Sequence, residues 1–209
     1  MTFLSRADAG QRLAAHLAER GTRPDIVLGL PRGGVLVAAE VARVLACPLD
    51  VLVVRKIGHP RYPEFAVGAM AEHEVLMLDD QDAAADRVSR RELDRVITEE
   101  SERLREYGTK FHRAGGLEVA VKTVLIVDDG LATGATAVVA VMSARKQLAR
   151  AVSVAAPVAS SHAVERLALM ADSVTALVVD PDFVAVGQYY EDFPQIEDSE
   201  VAAVLRGSE

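Results

Sequence analysis

The chain has 209 residues, half of them hydrophobic and only 4% aromatic, with no tryptophan, which fits one large domain, or one domain with an insertion, built around an aliphatic core. A formal charge of −8 and a pI near 5.2 disfavour nonspecific nucleic-acid binding, which needs a basic surface to displace counterions. The lone Cys47 excludes an intrachain disulfide, no segment reaches the roughly 18 unbroken apolar residues of a membrane span, and no apolar run follows Arg6 and Asp8, so no secretory leader is expected and the cytoplasm is the expected location.

In chain order, strand and helix patterns alternate. Ile26–Leu30 is a short apolar run closed by Pro31 and Gly33-Gly34, and Val35–Leu45 follows as a helix whose end carries Cys47 as a small apolar residue. Leu49–Val54 is the second strand. Gly58–Ala71, with its glycines and prolines, reads as a long loop. Asp82–Phe111 is a charged helix with a narrow stripe at Leu93, Ile97, Leu104, Tyr107 and Phe111, continuous if Glu100 takes one place on it. Its mixed charges describe a solvated face, and its stripe suits packing on its own domain or across the axis of a homodimer. Thr123–Val127 is the third strand, leading through a glycine-containing loop into the helix Ala135–Leu148. Val152–Pro157 and Val174–Val179 are further strands, with the helix His162–Met170 between them, and the tail after Asp198 is acidic, Ala-rich and helical in pattern. Apolar strands separated by helices predict a doubly wound α/β fold with a mainly parallel sheet.

The chemistry concentrates at the exit of the third strand. Open α/β sheets bind ligands outside the carboxyl ends of their strands, and this strand delivers Asp128 and Asp129 there. Gly130-Leu131-Ala132-Thr133-Gly134-Ala135-Thr136 then combines two glycines and two threonines with no bulky charge. Such a loop at a helix N-terminus can turn backbone N–H groups and hydroxyls onto a phosphate, while the neighbouring carboxylates can accept from vicinal hydroxyls. Together they describe a ribose 5-phosphate site. The bland alternative is a tight strand-to-helix turn capped by threonine. A Walker loop needs lysine where Ala135 stands, Gly29–Gly33 has the wrong spacing for a dinucleotide fingerprint, and Ser160-Ser161-His162 is a poor nucleophile–base arrangement with no G-x-S-x-G elbow. The five histidines lack ligand spacing for zinc.

Val124–Ala137 resembles the 5-phosphoribosyl-1-pyrophosphate (PRPP) signature of type I phosphoribosyltransferases. Leu28–Gly34 is similar to that family's pyrophosphate loop, often associated with a cis peptide. Val54-Arg55-Lys56 with Gly58–Ala71 resembles its second strand and mobile lid, and Phe183–Phe193 resembles its base-covering hood. The whole arrangement is similar to a bacterial group of predicted phosphoribosyltransferases without an assigned base. The resemblance implies a single domain over 1–209, with lid and helical insertion at 58–121 and a hood at 180–197. It implies that Gly130–Thr136 hold the 5-phosphate and that Asp128 and Asp129 contact the diol and, through it, Mg²⁺. Arg32, Lys56, Arg55 and the N–H groups of Gly33 and Gly34 would bind pyrophosphate. Phe183, Tyr189 and Asp192 are the candidates for contact with a small-molecule base, though the two rings suit a core equally well. The implied reaction moves phosphoribose onto a nitrogenous base; the alternative is a PRPP- or nucleotide-sensing protein without turnover, which would act through a protein partner. Two departures leave the base open: Ala132 stands where the 6-oxopurine enzymes carry an acid, and Pro157–Ser160 lacks their base-reading lysine.

Overall fold

The computed structural model describes residues 1–63, 65–78, 89–112, 116 and 118–207. After α1 (Arg6–Glu19) come β1 (Ile26–Gly29), α2 (Gly33–Leu45) and β2 (Leu49–Val51). β3 (Val54–Gly58), β4 (Ala66–Ala71), β5 (Val75–Leu78) and α3 (Arg90–Phe111) form a second layer. The chain returns through β6 (Thr123–Val127), α4 (Ala135–Lys146), β7 (Ala151–Ser160), α5 (Ser161–Ala168) and β8 (Ser173–Asp180). It ends with a 3₁₀ turn at Val186–Tyr189 and α6 (Asp198–Gly207).

The main sheet has five parallel strands in the order β2-β1-β6-β7-β8. Because strand side chains alternate between faces, Ile26, Leu28, Val124 and Ile126 enter one core, while Val27, Leu125 and Val127 enter the other. The first core is closed by α4 through Val138, Val139 and Val141. The second is closed by α1 and α2 through Leu13, Leu17, Val35 and Val41. Burial on both faces explains why these strands carry no polar alternation. From β1 the chain moves outward to β2, and from β6 it moves the other way to β7 and β8. The β1–β6 seam is therefore the switch point of the sheet, where the loops after neighbouring strands part and leave a crevice.

Several boundaries differ from those the sequence suggests. Leu49–Val54 is two strands: Leu49–Val51 pairs with β1, and Val54 begins a separate antiparallel sheet, β3-β4-β5. Gly58–Ala71 is accordingly a hairpin rather than one long loop, with Val54 opposite Ala71 and a register shift at Ile57/Gly58. Its return strand escapes a pattern reading because Ala66-Val67-Gly68-Ala69-Met70-Ala71 is built of small residues, of which Ala69 and Ala71 face one core and Val67 and Met70 the other. β7 runs past the expected stop at Pro157; β6 ends opposite Ala155, so the missing proline N–H falls beyond that ladder. The proposed helix start at Asp82 lies outside the described residues, and α3 opens at Arg90 on a Ser89–Glu92 capping box.

The α3 stripe packs on its own domain: Leu104 and Phe111 are buried, with Leu93, Ile97 and Tyr107 half-buried beside them in the second core. α1 opens on Ser5, whose hydroxyl accepts the N–H of Asp8. Cys47 is partly buried beyond α2, and burial pushes its thiol pKa up. Among the described residues no helix is long and apolar enough to cross a membrane.

Candidate functional site

A cavity of about 790 Å³ opens at the switch point. Its floor is Leu30 and Pro31 from the loop after β1, Asp128–Gly134 from the loop after β6, and Thr136 from the first turn of α4. One wall is Arg55, Lys56 and Gly58 of β3 with His59, Pro60 and Pro63 of the hairpin tip; another is the middle of α3, from Arg95 to Arg103.

The β6–α4 loop is held open from below. The Leu131 N–H donates to the Val158 carbonyl (2.9 Å) and the Leu131 carbonyl accepts from the Ser160 N–H (2.9 Å), so the extra length of β7 carries the loop as a short continuation of the sheet. The Ser160 hydroxyl donates to the Ala132 carbonyl. Gly134 sits at φ +73° as the residue before α4, a left-handed conformation that glycine adopts without penalty. The N–H groups of Ala132, Thr133 and Gly134, and those of Thr136 and Ala137 in the first turn of α4, have no acceptor among the described residues. At the positive end of a helix such donors suit an anion. The Thr133 hydroxyl lies 3.4 Å from the Ala135 N–H, which it accepts as a weak cap.

The two carboxylates differ in environment. Asp128 accepts the Asp129 N–H on Oδ1 (2.9 Å). Burial, then the charge of Asp129, holds the Asp128 carboxyl well above the usual carboxylate range, with the Lys56 ammonium acting in the opposite direction. Asp129 turns Oδ2 inward to the buried Arg6 Nε (2.8 Å), and its carbonyl accepts the Tyr190 hydroxyl (2.6 Å). Only part of this carboxylate is thus presented to the cavity. The glycines of the β1–α2 loop allow the approach: a β-carbon on Gly33 would lie 1.9 Å from Asp129 Oδ2, and one on Gly34 would lie 2.8 Å from Asp128 Oδ1. The Pro31–Arg32 peptide is cis.

The remaining candidates divide. Arg55 and Lys56 line the cavity; Arg55 is held by Glu100 (2.8 Å) and lies over the Tyr107 ring. Arg32 is directed elsewhere, with Nη1 3.7 Å from Asp198 Oδ1, and neither it, Gly33, Gly34 nor Ala135 is in the cavity wall. The hood residues expected to contact a base, Phe183, Tyr189 and Asp192, are not in the cavity wall either. Tyr189 is buried, stacks on Phe183 with centroids 5.4 Å apart, and donates its hydroxyl to Asp180. Asp192 is exposed, its N–H bonded to the Leu4 carbonyl. The hood residue that reaches the cavity is Val186. Here the aliphatic composition had a local exception: Phe183, Tyr189, Tyr190 and Phe193 gather into one cluster with Phe3.

Sequence reasoning missed two contributors. Arg6 meets Asp129 across a separation of 123 residues, and nothing local marks it. Arg95, Val96, Glu99, Glu100 and Arg103 of α3 form the far wall; the polar place held by Glu100 on an apolar stripe was the one available signal. Among the described residues no group of three or more His, Cys, Asp or Glu side chains gathers for a metal. A carboxylate pair is nonetheless a fitting donor set for Mg²⁺ shared with a phosphorylated ligand, since that ion commonly takes one or two carboxylates and completes its shell with water and phosphate oxygens.

Known proteins are similar to this chain in sequence and fold. A family model described as the phosphoribosyl transferase domain matches residues 4–193. A Mycobacterium tuberculosis protein named "Putative phosphoribosyl transferase" is 43% identical over 204 residues, covering 97% of this chain and 46% of that protein. The chain thus spans about half the length of the curated relatives it matches. The crystal structure of TT1426 from Thermus thermophilus is 43% identical, covers 98% of both chains and superposes with a TM-score of 0.78. A purine phosphoribosyltransferase from Pyrococcus horikoshii, 20% identical and covering 94% and 97% of the two chains, shares the fold at a TM-score of 0.51. The match over nearly the whole chain, on a parallel sheet with the acid pair and loop at its switch point, places this chain in the phosphoribosyl transferase domain family.

Proposed function

We propose that the chain binds PRPP with Mg²⁺ in the switch-point cavity and transfers its phosphoribosyl group to a nitrogenous base, releasing pyrophosphate. The observation that carries this reading is the run of uncommitted amides at Ala132, Thr133, Gly134, Thr136 and Ala137, one loop away from the Asp128–Asp129 pair. A 5-phosphate on those amides would set the ribose beside the two carboxylates, which accept from its vicinal hydroxyls. Lys56 and Arg55, on the β3 wall, would meet the pyrophosphate oxygens. As the C1–O bond breaks, the sugar gains oxocarbenium character and the leaving group gains charge, so donors fixed on that group supply most of the rate. Mg²⁺, when bound, would neutralise pyrophosphate charge; Asp128 and Asp129 are the residues that would hold it on the protein side. The hairpin tip with His59, Pro60 and Pro63 is the candidate lid, limiting access of water to the reacting carbon.

One observation favours a second reading, a PRPP- or nucleotide-sensing protein without turnover. The described lining residues include no Phe, Tyr or Trp on which a base could stack. Calorimetry and a base panel separate the cases. PRPP should give heat in Mg²⁺ and little in excess chelator, and Asp128→Asn with Asp129→Asn should weaken binding at least tenfold; no heat from the wild-type protein in Mg²⁺ sinks the transferase and the PRPP sensor alike, and the same titration with a nucleotide then decides the nucleotide sensor. Pyrophosphate release with some member of a purine and pyrimidine panel identifies the transferase, whereas tight binding with silence across the panel identifies the sensor.

A further inference from the structure

Arg6 opens α1, far in sequence from the cavity, yet its side chain is only 8% exposed and converges on the acid pair from behind. Nε donates to Asp129 Oδ2 at 2.8 Å, while Nη1 donates to the Pro194 carbonyl at 2.9 Å. The guanidinium carbon lies 3.7 Å from the centroid of the Phe193 ring. Phe193 packs on Tyr190 at 4.8 Å between centroids, and the Tyr190 hydroxyl donates to the Asp129 carbonyl at 2.6 Å. The N-terminal segment is fastened to the same stretch of the hood: Phe3 N–H to the Tyr189 carbonyl, and Glu191 N–H to the Phe3 carbonyl, each 2.8 Å. Asp129 is therefore gripped twice, at its side chain by Arg6 and at its backbone by Tyr190, and both grips run through one hood–N-terminus unit.

A buried guanidinium that divides its donors between a carboxylate, a carbonyl and a ring face is costly to desolvate and poorly replaced by lysine, whose ammonium lacks the planar fork. Its Nε also lies 2.8 Å from where a Gly33 β-carbon would stand, so it fills the angle between the β1–α2 loop and the acid pair. We infer that Arg6 is a positioning residue for the phosphoribosyl site: it fixes the Asp129 carboxylate against the β1–α2 loop and couples it to the hood, so that the site is assembled only when the N-terminal helix is docked. This inference rests on the PRPP reading of the cavity. It predicts a split between two ligands. PRPP needs the diol and pyrophosphate subsites that Asp129 borders, whereas inorganic phosphate needs only the loop amides after Leu131.

The test is calorimetry of PRPP in Mg²⁺, and of inorganic phosphate alone, on folded wild-type, Arg6→Met, Arg6→Lys and Tyr190→Phe proteins. Arg6→Met should weaken PRPP at least tenfold while leaving phosphate affinity within twofold, with Arg6→Lys intermediate and Tyr190→Phe weakened about threefold. Unchanged PRPP affinity in Arg6→Met overturns the inference, as does an equal loss for both ligands, which would mark general damage. If Arg6→Met does not fold, Arg6→Lys and Tyr190→Phe decide it: wild-type affinity in both overturns it. Absence of PRPP heat from the wild-type protein overturns the functional reading itself, and this inference with it.

Discussion

Gly33 shows how closely the two floor loops of the cavity are built against each other. It belongs to the first turn of α2, where glycine costs about 1 kcal/mol relative to alanine in an exposed helix, so a helix-propensity argument alone favours replacing it. The position forbids that gain, because the added β-carbon would stand 1.9 Å from Asp129 Oδ2 and 2.8 Å from both the Asp129 carboxyl carbon and Arg6 Nε. None of these neighbours can move alone, since the carboxylate and the guanidinium are bonded to each other and the guanidinium is bonded to the Pro194 carbonyl. Gly33→Ala should therefore destabilise the protein by about 1–3 kcal/mol, the usual cost of overpacking a filled site, and weaken PRPP at least tenfold. Urea denaturation and calorimetry check the two halves separately. A stabilised Gly33→Ala protein with normal affinity would mean that the acid pair is not in contact with the β1–α2 loop.

At the scale of elements, α3 is fixed by polar pins at two points, the first to the hairpin layer and the second to both that layer and β2 of the main sheet. Midway, Glu100 accepts from Arg55 on β3 and from Arg103. At the C-terminal end, His112 lies between Glu72 (2.7 Å) and Asp50 (3.4 Å). Those two acids raise the His112 pKa from 6.5 to about 10, against the opposing effect of burial. A group whose folded pKa is raised contributes stability that is complete below its unfolded pKa and lost as pH rises through the folded value. The window here runs from about 6.5 to about 10: unfolding free energy should decline across it, and His112→Gln should be less stable at pH 6.5 while showing a flatter decline. Denaturant titrations at half-unit pH steps measure this, and parallel curves for the two proteins would remove the pin. The same elements mark how far sequence reading went. The parallel sheet and the cavity floor were legible because Val124–Val127 is an unbroken apolar run ending in two acids and a glycine loop, all local features. The hairpin was not, since Ala66–Ala71 has neither alternation nor β-branched enrichment, and the ring cluster was not, since a buried and a base-stacking tyrosine look alike in sequence. Arg6 and the α3 wall depend on contacts across 45 to 123 residues, which no window along the chain contains.

The molecule as a whole has two layers with the cavity between them: the main sheet supplies the amides and carboxylates, and the hairpin with α3 supplies the cations. A ligand touching only the first layer, such as phosphate on the β6–α4 loop, has no leverage on the second. PRPP is different, because its pyrophosphate would reach Arg55 and Lys56 while its 5-phosphate stays on the loop, and one molecule would then join the layers. Binding to the folded state alone stabilises by about 2.7 kcal/mol at a hundred times Kd, and for a chain of this size each kcal/mol moves Tm by roughly 2–4 °C. PRPP with Mg²⁺ should therefore raise Tm by about 5–10 °C at that excess. Hydrogen exchange should show where the gain resides. If the ligand bridges the layers, amides at 132–137 and those of the hairpin tip and the middle of α3 gain protection together, and Lys56→Ala keeps the first gain while losing the second. Protection confined to the loop in wild-type protein would mean that the hairpin and helix do not close on the ligand, and that the cations on that wall serve the stability of the layer rather than the pyrophosphate.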